Sequence, residues 1–271
     1  MAISTEWQLA REAAERYEQI LVPAILGPAA RALVDWSALK GDETVLDVGS
    51  GTGAAARYAA ELVGTSGRVI GIDVDAGMIE VAKSLPPIQG AAIEWHEKSA
   101  YELPLNDQTV DVVLCAQTLQ FLKDRELALS EMYRVLKPGG RLVISLWSEI
   151  EENPYFDILE DAVSKHVGEE TAASLQAIFS LSNADEIRAL LESAGFTNIE
   201  MTVKQLELEL PELTDFVPRH IGATPMATGF NSAEQAAQQA VIQEVSAQLA
   251  LYESNDSITI PFRVNLAKAT K

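Results

Sequence analysis

The chain has 271 residues, enough for one large domain with a sizeable core, and its 48% hydrophobic and 22% charged residues exclude a disordered or collagen-like polymer. A net charge of −20 disfavours a nucleic-acid partner, since a phosphate backbone would be repelled. No apolar run approaches the roughly 20 residues of a membrane span, and the polar opening MAISTEWQLAREAAER is unlike a signal peptide. The single Cys115 excludes an internal disulfide and fits a reducing cytoplasm. The expectation is a soluble cytoplasmic protein with neither nucleic acid nor membrane as a partner.

Trp7, Ala10, Ala14, Tyr17 and Leu21 alternate at spacings of three and four, which predicts an amphipathic helix. Pro23 and Pro28 interrupt it before a second helix that ends near Trp36. Strands and helices then alternate: a strand at 44–48, a glycine loop at 49–53, and a helix to Val63. A strand at 68–73 precedes a helix at 78–84, followed by strands at 92–97 and 110–115. A helix at 125–136 is stopped by Lys137-Pro138-Gly139-Gly140, and a fifth strand covers 142–147. This alternation predicts βαβ units and a parallel sheet with helices on both faces.

Beyond Trp147 the pattern predicts helices at 154–167, 169–179 and 184–194, the last capped by Asn183 or Ser182, and a strand at 199–210. Residues 214–230 read as irregular and apolar, 233–251 as helical, and 257–266 as a closing strand. Pro261 argues for an edge or a bulge there. The fold class expected is α/β: a Rossmann-like doubly wound sheet, mostly parallel, with an antiparallel terminal strand and helical lid segments. Within one domain, 1–40 form a helical cap, 41–149 the cofactor-binding core, 150–182 and 211–254 lid insertions, and 183–210 with 255–271 the end of the sheet.

The main chemical signal is Asp47-Val48-Gly49-Ser50-Gly51-Thr52-Gly53, which follows a strand and opens a helix. Glycines at this spacing allow a tight turn and close approach of a ligand to the backbone. With Ala54 the loop also satisfies a dinucleotide pattern, so a nicotinamide cofactor stays open at this point. Asp73 ends the second strand, where its two oxygens can accept from both ribose hydroxyls of an adenosine; the alternative is a cap for the next helix. Asp47, two residues before the first glycine, suits a ligand ammonium and would repel a pyrophosphate.

Asp47 to Gly53, Gly71-Ile72-Asp73, Asp111-Val112-Val113-Leu114 and Leu136-Lys137-Pro138-Gly139-Gly140 together resemble the class I S-adenosylmethionine-dependent methyltransferases. The similarity runs in order across residues 43–147 and is greatest to the small-molecule branch that includes the ubiquinone/menaquinone C-methyltransferases. It implies S-adenosylmethionine as cofactor and a small methyl acceptor as partner. Gly49, Ser50, Gly51, Thr52 and Gly53 would cradle the methionine portion, with Asp47 near its amino group. Asp73 would hold the ribose, and Val74 and Met78 the adenine. Ser99-Ala100 takes the place where such enzymes carry an acid and a small residue, the acid being absent here. Gln117, past the fourth strand, would lie where cofactor and acceptor meet.

Tyr17 is a further cofactor-site candidate, with a core aromatic as the alternative. Phe121 and Trp147 follow strands at the ligand-binding edge and could line an acceptor pocket or simply pack. Of three histidines, His220 in the apolar 218–225 segment is the one placed to act as a base, should the acceptor need deprotonation. Cys115 reads as a buried, inert thiol, and Glu207, Glu209 and Glu212 as a solvent-facing strand edge, so no metal site is expected. The reading is methyl transfer by in-line displacement to a small, partly hydrophobic acceptor. The alternatives are a nicotinamide-dependent oxidoreductase and a non-catalytic S-adenosylmethionine-binding protein.

Overall fold

The computed structural model describes residues 11–254 and 257–271. Its centre is a mixed sheet of β1 (Thr44–Val48), β2 (Arg68–Asp73), β3 (Ile93–Glu97), β4 (Val110–Ala116), β5 (Leu136–Trp147), β6 (Thr197–Leu210) and β8 (Ser257–Thr270), in the order β3-β2-β1-β4-β5-β8-β6. The two-residue β7 (Glu253–Ser254) pairs with β8. Strands β1 to β5 pair in parallel, whereas β8 runs antiparallel to both β5 and β6. That is the doubly wound sheet with an antiparallel end that the sequence predicts. The order reverses between β1 and β4, where open α/β sheets bind ligands at the carboxyl edge.

Helices cover both faces: α1 (Arg11–Arg16), α2 (Gly27–Trp36), α3 (Ala54–Val63), α4 (Ala76–Ser84), α5 (Arg125–Val135), α6 (Pro154–His166), α7 (Glu169–Gln176), α8 (Ala184–Ser193), α9 (Leu213–Gly222), α10 (Ala227–Ser232) and α11 (Gln235–Leu249). Buried Val45, Val69, Val112 and Val143 join a core with α2 and α3, while Leu46, Ile70, Val113 and Ile144 join a second core with α5 and α8. This is the alternation of faces expected of strands buried on both sides. Among the described residues no helix is long and apolar enough to cross a membrane.

Several elements depart from the sequence expectation. Pro23 does not break the first helix, because Tyr17–Leu26 forms a π-helix that runs between α1 and α2. Its wider turns absorb a residue that would disrupt an i→i−4 ladder. Pro28 does sit in the first turn of α2. Trp7 and Ala10 of the expected helix lie outside the described residues. Residues 137–140 extend β5 rather than separating it from α5: Leu136 pairs with Val110 across a register shift, and the Lys137 ammonium bonds Asp111 at 2.8 Å. The 214–230 stretch is mostly helical, with a turn at 223–226 between α9 and α10 and with Pro218 in the interior of α9, where it removes one i→i−4 donor without ending the helix. Pro261 pairs with Glu207 of β6 at a point where β8 has outrun β5, so its other side is an edge.

The excess length of β6 and β8 stands above the carboxyl end of β5 and carries helices with it. Helices α6, α7, α9, α10 and α11 pack on one another there. Their meeting point is aromatic: Trp147, at the end of β5, lies 5.8 Å from both the Phe156 and Phe262 rings. Tyr155 and Phe216 extend the cluster, at 5.6 Å between ring centres.

Candidate active site

The glycine loop is strapped to the end of β2. Gly49 and Ser50 donate their backbone N–H groups to the Ile72 carbonyl at 2.8 and 2.9 Å, and Gly51 donates to Asp73 Oδ2 at 2.7 Å. Gly49, Gly51 and Gly53 all hold positive φ, the left-handed region where a Cβ is strained. Two of these glycines also meet side chains that the sequence reading did not single out. A Cβ at Gly49 would collide with Thr118, and one at Gly53 with Trp95. Trp95 likewise excludes a side chain at Gly71. A glycine inside an apolar strand was the available signal for such a close approach.

Two carboxylates dominate the electrostatics. Asp47 is buried at the end of β1, where Oδ2 accepts the Ala56 N–H of the first turn of α3 at 2.9 Å and Oδ1 has no partner. Burial, reinforced by Asp73, pushes its carboxyl up to about 7. Asp73 is also raised, chiefly by burial, although both oxygens accept backbone N–H groups, from Gly51 and from Asp75 at 2.9 Å. The cap of α4 is Asp75, which accepts from Met78 N–H at 3.0 Å, so Asp73 does not serve as that helix's cap. Tyr17 from the π-helix reaches this acidic site, its hydroxyl 3.7 Å from where a Gly51 Cβ would stand. Burial, then Asp73, Glu18 and Asp47, hold the Tyr17 phenol protonated. Thr52 is buried near Glu18, whose carboxyl is raised by burial.

The structure places the expected adenine residues as follows. Val74 is half-buried just past β2, and Met78 packs with Ala14, Val81 and Tyr17 beneath α1. Ser99 Oγ accepts the Tyr101 N–H at 3.1 Å, forming a local turn, and Ala100 packs against the second core.

Gln117 directly follows β4 with φ +49, and its backbone N–H donates to the Ser145 carbonyl of β5 at 2.9 Å. Among the described residues, seven buried side-chain polar atoms lack a hydrogen-bond partner. Six of them, Asp47 Oδ1, Ser50 Oγ, Gln117 Nε2, Gln120 Oε1, Ser145 Oγ and Ser148 Oγ, belong to residues at the carboxyl ends of β1, β4 and β5. Buried polar atoms in folded proteins nearly always find partners, so this concentration marks a site made for a polar ligand. An orphaned carboxylate oxygen suits an ammonium, which is the fit S-adenosylmethionine requires of this edge.

Trp147 is buried in the aromatic cluster, and Phe121 is half-buried in the short turn after β4. His220 is 2% exposed; its ring stacks on Tyr155 and Phe216, and Nδ1 is hydrogen-bonded to the Tyr155 hydroxyl. Burial lowers the imidazole to about 3, so the ring is neutral near pH 7 and weakly basic. Packing thus gives the expected base an aromatic, water-poor setting. His96 is half-exposed beside Glu94, and His166 bonds Glu244 at 2.6 Å.

A doubly wound sheet, with a glycine loop and two carboxylates at its switch point, defines the nucleoside-cofactor class of α/β folds. Residues 46–144 match the family model described as a methyltransferase domain. A ubiquinone/menaquinone biosynthesis C-methyltransferase of Enterobacter sp. (strain 638) is 31% identical over 183 residues, 63% of this chain and 72% of that protein. An arsenite methyltransferase of Halobacterium salinarum is 30% identical over 183 residues, 67% of this chain and 43% of that protein. The solved phosphoethanolamine N-methyltransferase 2 of Haemonchus contortus, in complex with phosphomonomethylethanolamine and S-adenosylhomocysteine, shares the fold with a TM-score of 0.60 at 21% identity, covering 100% of this chain and 60% of that one. The chain belongs to the S-adenosylmethionine-dependent methyltransferases, and S-adenosylmethionine is its cofactor. Neither the oxidoreductase nor the non-catalytic alternative finds support among these relatives.

Proposed function

We propose that this methyltransferase acts on a small, partly hydrophobic acceptor held between the carboxyl edge of the sheet and the helices of residues 11–40, 150–182 and 211–254. The observation that carries the reading is the set of unpartnered polar atoms at that edge, beside an aromatic cluster supplied by the added helices. When bound, S-adenosylmethionine supplies a methyl group on a sulfonium that is already activated for in-line displacement.

The chain's own work is then binding, alignment and exclusion of water. Asp47 Oδ1 holds the ammonium, and Asp73 offers its remaining lone pairs to the ribose hydroxyls. The loop from Gly49 to Gly53 lets the methionine portion approach the backbone, while Val74, Met78, Ser99 and Ala100 border the adenine. Tyr17 closes the site from above, Gln117 separates cofactor from acceptor, and Phe121 and Trp147 furnish the apolar wall. Together Asp47, Asp73 and Glu18 give the site a negative field that favours a sulfonium over a neutral thioether, which eases product release. His220 serves in this reading as a neutral packing group rather than as the base.

The net charge of −20 supports a small acceptor over nucleic acid, and the single buried thiol of Cys115 is consistent with a cytoplasmic setting. Methyl-labelled S-adenosylmethionine incubated with the protein and a fractionated small-molecule extract tests the proposal. Label entering a discrete organic product is the expected result. Failure to bind S-adenosylhomocysteine in calorimetry would overturn it.

A further inference from the structure

We infer that Gln117 and Gln120 form a paired-amide subsite that selects an uncharged acceptor carrying a hydroxyl beside a second oxygen. The inference rests on the methyltransferase reading above and specifies the substrate class of the same site. Gln120 Nε2 donates to Gln117 Oε1 at 3.2 Å, so the two amides are joined head to tail. Each is then left with one buried polar atom without a partner, a donor at Gln117 Nε2 and an acceptor at Gln120 Oε1. Turning both amides over changes which residue donates, but the pair still offers one donor and one acceptor.

Neither side chain is loosely placed. Gln120 is 4% exposed, and its backbone carbonyl accepts from the Ser180 hydroxyl at 2.9 Å. Gln117 carries φ +49, a conformation that a non-glycine residue holds only when its surroundings impose it, and which gathers at functional sites. Two buried hydroxyls without partners, Ser145 and Ser148, come from the neighbouring end of β5. A core that needed only to pack would put apolar side chains here, since leaving a buried amide atom unpaired is costly.

The unpaired atoms of the subsite are all neutral, and the nearby Arg125 guanidinium, which bonds the Gln120 carbonyl at 3.4 Å, is already paired with Glu186 at 3.2 Å; this fixes the ligand class. An ionised carboxylate or ammonium would enter it without a countercharge, whereas a hydroxyl next to another oxygen donates to one amide and accepts from the other. Phe121, half-buried and directly following Gln120, adds apolar surface for the rest of the acceptor.

The test uses the full chain saturated with S-adenosylhomocysteine, with catechol and its dimethyl ether veratrole as probes in calorimetric titration. Wild type is expected to bind catechol at least tenfold more tightly than veratrole, which cannot donate. In Gln120→Leu, and independently in Gln120→Met, the preference should shrink to about threefold or less with S-adenosylhomocysteine affinity retained. Equal binding of the two probes by wild type, or the full preference persisting in both variants, overturns the subsite while leaving the methyltransferase reading intact. Failure of S-adenosylhomocysteine itself to bind overturns both.

Discussion

Asp47 Oδ2 accepts the N–H of Ala56 at 2.9 Å, which ties the end of β1 to the first turn of α3 and leaves the second carboxylate oxygen buried without a partner. Burial raises this carboxyl from 3.8 to about 7. A group whose folded value is raised stabilises the fold fully below its unfolded value and loses that contribution as pH rises through the folded one. The ligand-free protein should therefore lose thermal stability between about pH 4 and pH 7 through Asp47, and Asp47→Asn should remove that loss. Binding of S-adenosylhomocysteine, whose ammonium favours the ionised form, should release a proton in this range. Thermal unfolding across pH and calorimetry in buffers of different ionisation enthalpy measure the two effects; an unaltered pH slope in the variant would count against the assignment.

Gly71 makes room for Trp95. A Cβ built at Gly71 collides with the indole, although the backbone there is ordinary strand. Gly71→Ala should cost about 1–3 kcal/mol by overpacking. Combined with Trp95→Leu, most of that cost should disappear, giving a coupling energy of the opposite sign in a double-mutant cycle. Additive losses in urea unfolding would show that the two positions do not meet.

The sheet was legible because each buried strand is a short apolar run closed by turn residues, and the order of Asp47, the glycines, Asp73 and Asp111 follows its winding. The π-helix was not, since Pro23 signals a break wherever only the i→i−4 pattern is considered. Residues 214–230 looked irregular for the same reason, yet α9 continues through Pro218, carried by the burial of Phe216, Val217, His220 and Ile221. In the site, Asp47 and Asp73 stood out by position, whereas Trp95, Thr118 and Gln120 act through contacts with residues far away in the chain or through burial. A sequence pattern shows periodicity and spacing; it does not show which orphaned atoms a fold brings to one edge.

Asp73 has two duties that a single substitution would confound. It anchors the Gly51 N–H and, in the proposed function, binds the ribose. Asp73→Ala should weaken S-adenosylhomocysteine binding by about 1.5–3 kcal/mol, the range for charge-assisted hydrogen bonds. Asp73→Asn keeps one acceptor for Gly51, so it should preserve the fold better while still losing much of the affinity. If the Asn variant binds as tightly as wild type and is equally stable, the ribose role falls. Calorimetry on both variants, alongside their melting curves, separates anchoring from recognition.

His220 and Tyr155 should behave as a buried pair that specifies packing. Burial lowers His220 from 6.5 to about 3, so its contribution is complete above pH 6.5 and is lost as pH falls through about 3. That slope opposes the one from Asp47, and the two partly cancel in wild type. Asp47→Asn should accordingly expose a stability that rises with pH, and His220→Phe one that falls with it. His220→Phe also leaves the Tyr155 hydroxyl unpaired, costing about 1–3 kcal/mol, and adding Tyr155→Phe should recover most of it, because removing both partners removes the desolvation penalty. The decisive measurement is the pH profile of kcat for His220→Phe once an acceptor is known. A neutral packing group leaves its shape unchanged, whereas loss of an ascending limb would make His220 the base after all.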